Sequence, residues 1–328
     1  MRLPLAALLV SVDRPSKRGL HAVAAVAQFE SATEDRAATL RDYLQALRPQ
    51  HWLKNLLVFA ALLAAHRVVE PVLWARTFVE FMAFCCLASS GYLVNDLCDL
   101  HSDRQHPQKR WRPFASGRLP QAYALAAAPV LAVLGCVLAG LLSALSLGVV
   151  LLYFALTLGY SFTFKRVVLL DVLVLAVLYT LRIVAGAAAI SSWPSVWLLA
   201  FSMFLFISLA FIKRYAELMV MRATAGDRAT ARGYELSDAE LLASKGTASA
   251  YAAVLVLAVY IASGTANAPY SRHQLIWLVC PLLLYWVGYL WLIAHRGKMP
   301  HDPLVFALRD RTSRVLIGLM LVAVLAAI

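Results

Sequence analysis

Three aspartates carry the clearest chemical signal in this sequence. Asp96, Asp99 and Asp103 stand at i, i+3 and i+7, so on a helix all three carboxylates project from one face. Like charges so arranged repel one another unless a cation sits between them. Carboxylate oxygens are hard ligands suited to Mg²⁺, which keeps several waters and bridges a few carboxylates to substrate phosphates. One aspartate at this place would read as a solvated helix end paired with Arg104 or Lys109. Three in register favour the metal.

A dense run of bases follows: Lys109, Arg110 and Arg112, with Arg118 beyond them. Guanidinium forks match phosphate oxygens, so at least one of the first three is expected to touch a diphosphate held at the acidic face. Ordinary membrane topology explains how many bases there are, but not their closeness to three acids. Further along, Lys165 and Arg166 precede Asp171, and Arg182 lies eleven residues beyond it. Asp171 and Arg182 share a helix face but are about 16 Å apart, so each needs a partner on another helix or a ligand. Asp171 could add a metal or ribose contact. For Arg182 a ligand contact and a structural tether stay equally open. Lys213, Arg214 and Glu217 close a later apolar run, with Lys213 and Glu217 as an i,i+4 pair. Near the start, Arg48 and Lys54 flank Trp52, which reads as an interface anchor, and both bases could hold an anionic head group. Asp302, Asp310 and Arg311 read as surface residues or loop caps.

These side chains need elements to hold them. The chain has 328 residues, of which 62% are hydrophobic and 15% charged. A soluble domain has about 45–50% and about 25%, so an ordinary cytosolic globule, a disordered tail and a coiled coil are excluded. Lys and Arg number 30 against 18 Asp and Glu, a net charge of +12. In a soluble protein that excess would suggest nucleic acid. Here it points to membrane topology, and no nucleic-acid partner is expected. Cys85, Cys86, Cys98, Cys136 and Cys280 lie in or beside apolar runs and form neither a disulfide framework nor a zinc site.

About nine apolar runs are long enough or nearly long enough to span: 53–66, 72–94, 121–140, 142–162, 167–190, 194–212, 248–265, 274–294 and 313–328. The first and last are short. Backbone polar groups must be paired inside lipid, so the expected fold class is all-α, a polytopic membrane helical bundle. Residues 1–40 read as a poorly structured cytoplasmic leader and 41–328 as the membrane domain. Arg67, Arg76 and Arg272 are the basic residues of the odd-numbered connections, and Arg182 lies within a span. The other 26 of 30 fall in the leader, in the even-numbered connections or beside span nine. That asymmetry puts the N-terminus and the acidic motif in the cytoplasm, and nine spans put the C-terminus outside.

With the motif Asn95-Asp-x-x-Asp-x-x-x-Asp103 after a membrane helix, the chain resembles the UbiA superfamily of intramembrane prenyltransferases over roughly residues 41–328. Four further motifs carry the likeness: Leu47-Arg-Pro-x-x-Trp52-x-Lys54-Asn55, Asp103-Arg-x-His-Pro-x-Lys109-Arg-x-Arg-Pro113, Tyr160-Ser-x-x-x-Lys165 and Lys213-Arg-x-x-Glu217. The pattern is most similar to the decaprenyl-phosphate phosphoribosyltransferase branch. Aromatic prenyltransferases of the superfamily have a second Asp-x-x-x-Asp motif after the fourth helix, where this chain has only Asp171. Some relatives carry an N-terminal phosphatase-like domain, of which the leader would be a remnant.

The resemblance implies transfer of phosphoribose from phosphoribosyl diphosphate (PRPP) to a polyprenyl phosphate at the cytoplasmic face of a bacterial inner membrane. It implies Mg²⁺ and PRPP at Asp96, Asp99 and Asp103, with Asn95 orienting them. Lys109, Arg110, Arg112, Lys165 and Lys213 become phosphate contacts, Arg214, Glu217, Asp171 and Arg182 further members of the substrate site. The lipid would lie in a lateral groove with its phosphate near Arg48 or Lys54. Two alternatives remain: an aromatic prenyltransferase using a prenyl diphosphate, and a transporter with Asp171 and Arg182 on its path. The gathering of charge on one side of the membrane weighs against the transporter.

Overall fold

The computed structural model describes residues 38–105, 109–224, 233–264, 270–300 and 302–327. Most of the expected leader and residues 106–108 of the basic run lie outside the described residues. Among the described residues every regular element is helical, as the need to pair all backbone groups in lipid requires.

A short helix α1 (Leu40–Leu47) opens with a Thr39–Asp42 capping box. Arg48 ends it in the left-handed conformation, with φ 54°, and a 3₁₀ segment Pro49–Phe59 follows. The chain continues through α2 (Ala60–Ala64), α3 (Pro71–Cys98), α4 (Leu100–Gln105), α5 (Gln121–Leu142) and α6 (Ala144–Phe162). Then come α7 (Leu170–Ala189), α8 (Val196–Thr224), α9 (Ala239–Ala262), α10 (Val279–His295), α11 (Pro303–Arg309) and α12 (Arg311–Ala327). Among the described residues seven helical stretches are long and apolar enough to cross a membrane: α3, α5, α6, α7, α8, and α9 and α10 with the 3₁₀ turns before them.

These seven correspond to the middle spans expected from the sequence. The first expected span is instead part of the 3₁₀ segment plus the five-residue α2, with Lys54 and Asn55 interrupting its apolar run. The last is α12, whose 17 residues begin with Arg311 and Arg314. Helices α3, α5, α6 and α7 pack together on one side, and α8 to α10 and α12 on the other, with α7 against α8 joining them. Each side has its own buried apolar cluster.

The run Ala185-Gly186-Ala187-Ala188-Ala189 makes one end of α7 thin, and the 3₁₀ segment lies directly on it. A Cβ at Gly186 would stand 1.9 Å from the Val58 carbonyl oxygen, a backbone atom that cannot rotate away. Gly186→Ala should therefore push the segment carrying Lys54 and Asn55 off α7, at about 1–3 kcal/mol. A lowered melting temperature in detergent checks this, and an unchanged one would mean the segment is free to shift.

Candidate active site

A cavity of about 260 Å³ opens where the ends of α3, α6 and α8 and the start of α7 meet the 3₁₀ segment. Among the described residues seven basic side chains line it, Arg48, Lys54, Lys109, Arg112, Lys165, Arg182 and Lys213, against one carboxylate, Asp99. Tyr92, Tyr153, Tyr160 and Tyr179 supply hydroxyls and ring faces. So strong an excess of donors over acceptors suits a polyanionic ligand.

The acidic motif sits where α3 ends. Asp99 caps the helix at Cys98, and α4 carries Asp103. The single acidic face expected from spacing divides in two. Asp96 and Asp103, each 3% exposed, share the Arg112 guanidinium, at 3.3 and 2.5 Å. Asp96 also pairs with Arg48. Asp99 turns the other way, into the cavity, where Lys165 Nζ lies 2.8 Å from Oδ1 and Asn95 Nδ2 donates to Oδ2 at 3.1 Å. The cation between Asp96 and Asp103 is thus an arginine of the chain itself.

Lys165 reaches this place from a tight connection between α6 and α7. Leu169 there has φ 65°, unfavourable for a branched side chain, and its N–H donates to Tyr234 Oη at 2.9 Å. The loop before Arg112 is held from outside. Arg118 pairs with Asp42 at 2.7 Å and donates to the Trp111 carbonyl, so α1 fixes the basic run.

Asp171 and Arg182 do not partner each other, as their separation requires. Arg182 crosses the bundle to Asn55 Oδ1 at 2.9 Å and Tyr153 Oη at 2.8 Å, and its guanidinium lies over the Tyr153 ring. It is both a tether and part of the cavity wall. Asp171 lies outside the cavity lining. It is fully buried against Arg214 at 2.5 Å and accepts from Tyr234 Oη at 2.7 Å. Arg214 also pairs with Glu217 at 2.6 Å and donates to Tyr160 Oη at 2.8 Å. Asp171 and Arg214, both buried, and the half-buried Glu217 therefore form a clamp behind Tyr160 on the cavity wall.

Several expectations need correction in detail. Glu217 pairs with Arg214, not Lys213, because adjacent helical residues diverge by about 100° and Lys213 faces the cavity. Arg48 and Lys54 lie inside the cavity rather than at a membrane surface, paired with Asp96 and Asp302. Trp52 turns inward and donates to Ser89 Oγ at 3.0 Å. Arg110 stacks on the exposed Trp111 ring and is not among the cavity-lining residues. Asp302 is a cap, accepting from Val305 N–H at 3.2 Å, and it also reaches Lys54. Tyr92, Tyr153 and Tyr179 join the lining without any charge to mark them in the sequence; the i,i+3 spacing of Tyr179 and Arg182 is the one signal of it. Burial, with Lys54 adding to it, pushes the His51 imidazole below its ordinary value.

Among the described residues no three acidic, His or Cys side chains converge as a preformed metal cage. The donors nonetheless fit Mg²⁺, which needs one or two carboxylates once phosphates and waters complete its shell. Asp99 faces the cavity, and Asp96 Oδ2 is buried with no hydrogen-bond partner.

Residues 56–326 match the UbiA prenyltransferase family. The chain is 39% identical to nodulation protein NoeC of Azorhizobium caulinodans over 281 residues, covering 85% of this chain and 91% of that protein. It is 37% identical to the uncharacterized protein y4nM of Sinorhizobium fredii over 288 residues, covering 87% of this chain but only 56% of that protein's length. It is 31% identical to the decaprenyl-phosphate phosphoribosyltransferase of Mycobacterium tuberculosis over 291 residues, covering 87% and 93%. The fold matches a UbiA homolog from Archaeoglobus fulgidus solved with GPP and Mg²⁺, at TM-score 0.65 and 15% identity, over 86% of this chain and 99% of that one. Seven apolar helices, a cavity at the end of the bundle and a match over most of the length agree: this integral membrane protein belongs to the UbiA prenyltransferase family.

Proposed function

We propose that the protein transfers 5-phosphoribosyl from PRPP to a polyprenyl phosphate, with Mg²⁺, and releases diphosphate. The observation that carries this reading is the cavity lining, seven bases against one carboxylate in about 260 Å³. Both substrates bring phosphate into the same space, and an aromatic acid, with a single carboxylate charge, would answer less of it. The buried Asp171–Arg214 pair supports it further. The lone acid at the place of a second aspartate motif is already neutralised and is not free to hold a second metal. The relatives named decaprenyl-phosphate phosphoribosyltransferase point the same way.

In this reading Asp99 and Asp96, with Asp103 and Asn95 behind them, would hold the metal. Bound there, Mg²⁺ neutralises charge on the leaving diphosphate. The chain's own part is placement. Lys165, Lys109 and Arg112 hold diphosphate oxygens, so that the C1–O bond to diphosphate breaks as a lipid phosphate oxygen bonds to C1. Tyr160, fixed by Arg214, shapes the wall. The polyprenyl chain exceeds the cavity and extends into the bilayer. The cavity lies at the bundle end where the basic connections gather, so we place it on the cytoplasmic side.

The deciding assay gives purified protein PRPP, Mg²⁺ and polyprenyl phosphate and measures diphosphate release, expected to vanish with EDTA. No release with acceptors of any length would sink the proposal. Product from a prenyl diphosphate and an aromatic acid, with PRPP inert, would assign aromatic prenyl transfer instead.

A further inference from the structure

Lys54 and Lys213 line the cavity without an ion pair to the aspartates at 96, 99 and 103. Lys54, 8% exposed, has Asp302 as its one ion-pair partner among the described residues. Its ammonium lies 5.8 Å from the centre of the Tyr179 ring, another part of the lining. Lys213 faces the same cavity from α8 and makes no ion pair among the described residues. Of these two amines only Lys54 is answered by a carboxylate among the described residues. Burial pushes the Asp302 carboxyl up, but Lys54 and Lys213 outweigh it and hold the group below the usual carboxylate range.

Asp302 reaches this place from the connection between α10 and α11, while Lys54 comes from the 3₁₀ segment and Lys213 from α8. Two distant parts of the chain thus put an amine into one cavity lining, and a third brings Asp302 to it through the ion pair with Lys54. A carboxylate is a monoanion with two acceptor oxygens. A phosphate monoester offers three oxygens and up to two charges, and matches two ammonium groups better.

Building on the reading that the substrates are phosphorylated, we propose that Lys54 and Lys213 form a phosphate-monoester subsite, with Asp302 the displaceable carboxylate that competes for it. A monoester entering the subsite takes Lys54 from Asp302, and the strength of that ion pair sets its affinity. Two groups have this chemistry, the phosphate of a polyprenyl phosphate and the 5-phosphate of a phosphoribosyl donor. Asp302 also caps α11 through Val305 N–H. Asparagine caps as well as aspartate, so Asp302→Asn keeps the helix end and removes the competing charge.

The test titrates the full chain in detergent with farnesyl phosphate and, separately, with ribose 5-phosphate, reading Kd by calorimetry. Asp302→Asn is expected to tighten binding of at least one probe about three- to tenfold, and Lys213→Met to weaken the same probe roughly tenfold. The probe that responds identifies the source of the monoester. If Lys213→Met does not fold, the Asp302→Asn shift decides alone. Folded variants that bind both probes like the parent overturn the subsite. Turnover is not read in these titrations, which separates the two ideas. A protein that shows the shifts but transfers no phosphoribose keeps the subsite and loses the reaction. One that turns over without the shifts loses the subsite alone.

Discussion

Asp99→Asn is expected to slow diphosphate release from PRPP by on the order of 10²–10³-fold while the protein still folds. Asp99 is the one carboxylate in the cavity lining, held by Lys165 at 2.8 Å and by Asn95 at 3.1 Å. Asparagine keeps the size of the side chain and can still accept from Lys165. What it loses is the charge, and a hard divalent cation beside a diphosphate depends on that charge. Asp96→Asn should differ, since Asp96 is buried between Arg48 and Arg112 and its loss leaves guanidinium charge without a partner. That variant should lose melting temperature as well as rate. Arg67→Gln, at the opposite end of α3 in an exposed pair with Glu70, should match the parent in both. An Asp99→Asn protein that turns over at the parental rate would remove Asp99 from the chemistry.

The second large effect is expected in stability. Asp171 and Arg214 are each 1% exposed in their side chains and 2.5 Å apart. Removing Arg214 leaves the buried Asp171 charge without its ion pair, at about 3–5 kcal/mol, whereas removing Asp171 leaves Arg214 paired with Glu217 at 2.6 Å. Arg214→Met should lower the detergent melting temperature sharply and Asp171→Leu less, and the double variant should recover much of the Arg214→Met loss, because the buried carboxylate is gone with its partner. The same cycle reads function. Without Arg214, Tyr160 loses its donor at 2.8 Å, so the KM for PRPP should rise even in the thermally rescued double variant. Single variants that melt with the parent would show that water reaches the pair.

Much of the fold was readable along the chain because lipid imposes a local rule. A helix that crosses must be apolar for about 20 residues, so runs such as 121–140 and 167–190 marked α5 and α7 closely. The rule weakened at the ends. Polar residues break the first run into a 3₁₀ segment, and α8 continues to Thr224, past the end of its apolar stretch. The acidic motif and the bases Lys109, Arg112 and Lys165 were also legible, since charges near the end of an apolar helix need a reason, and Asp99 and the three bases line one cavity.

Composition, periodicity and charge spacing thus established a membrane bundle with acids and bases gathered at one end, because each is a property of neighbours in the chain. Which base meets which acid is not such a property. Lys213 and Arg214 are adjacent, yet one lines the cavity and the other is buried against Asp171, a choice made by the rotation of α8 as it packs on α7 and α9. Asp302 looked like a loop cap and is one, but its contact with Lys54 spans nearly 250 residues. Ion pairs of that separation depend on how helices dock, and docking is decided by side-chain volume on every face at once.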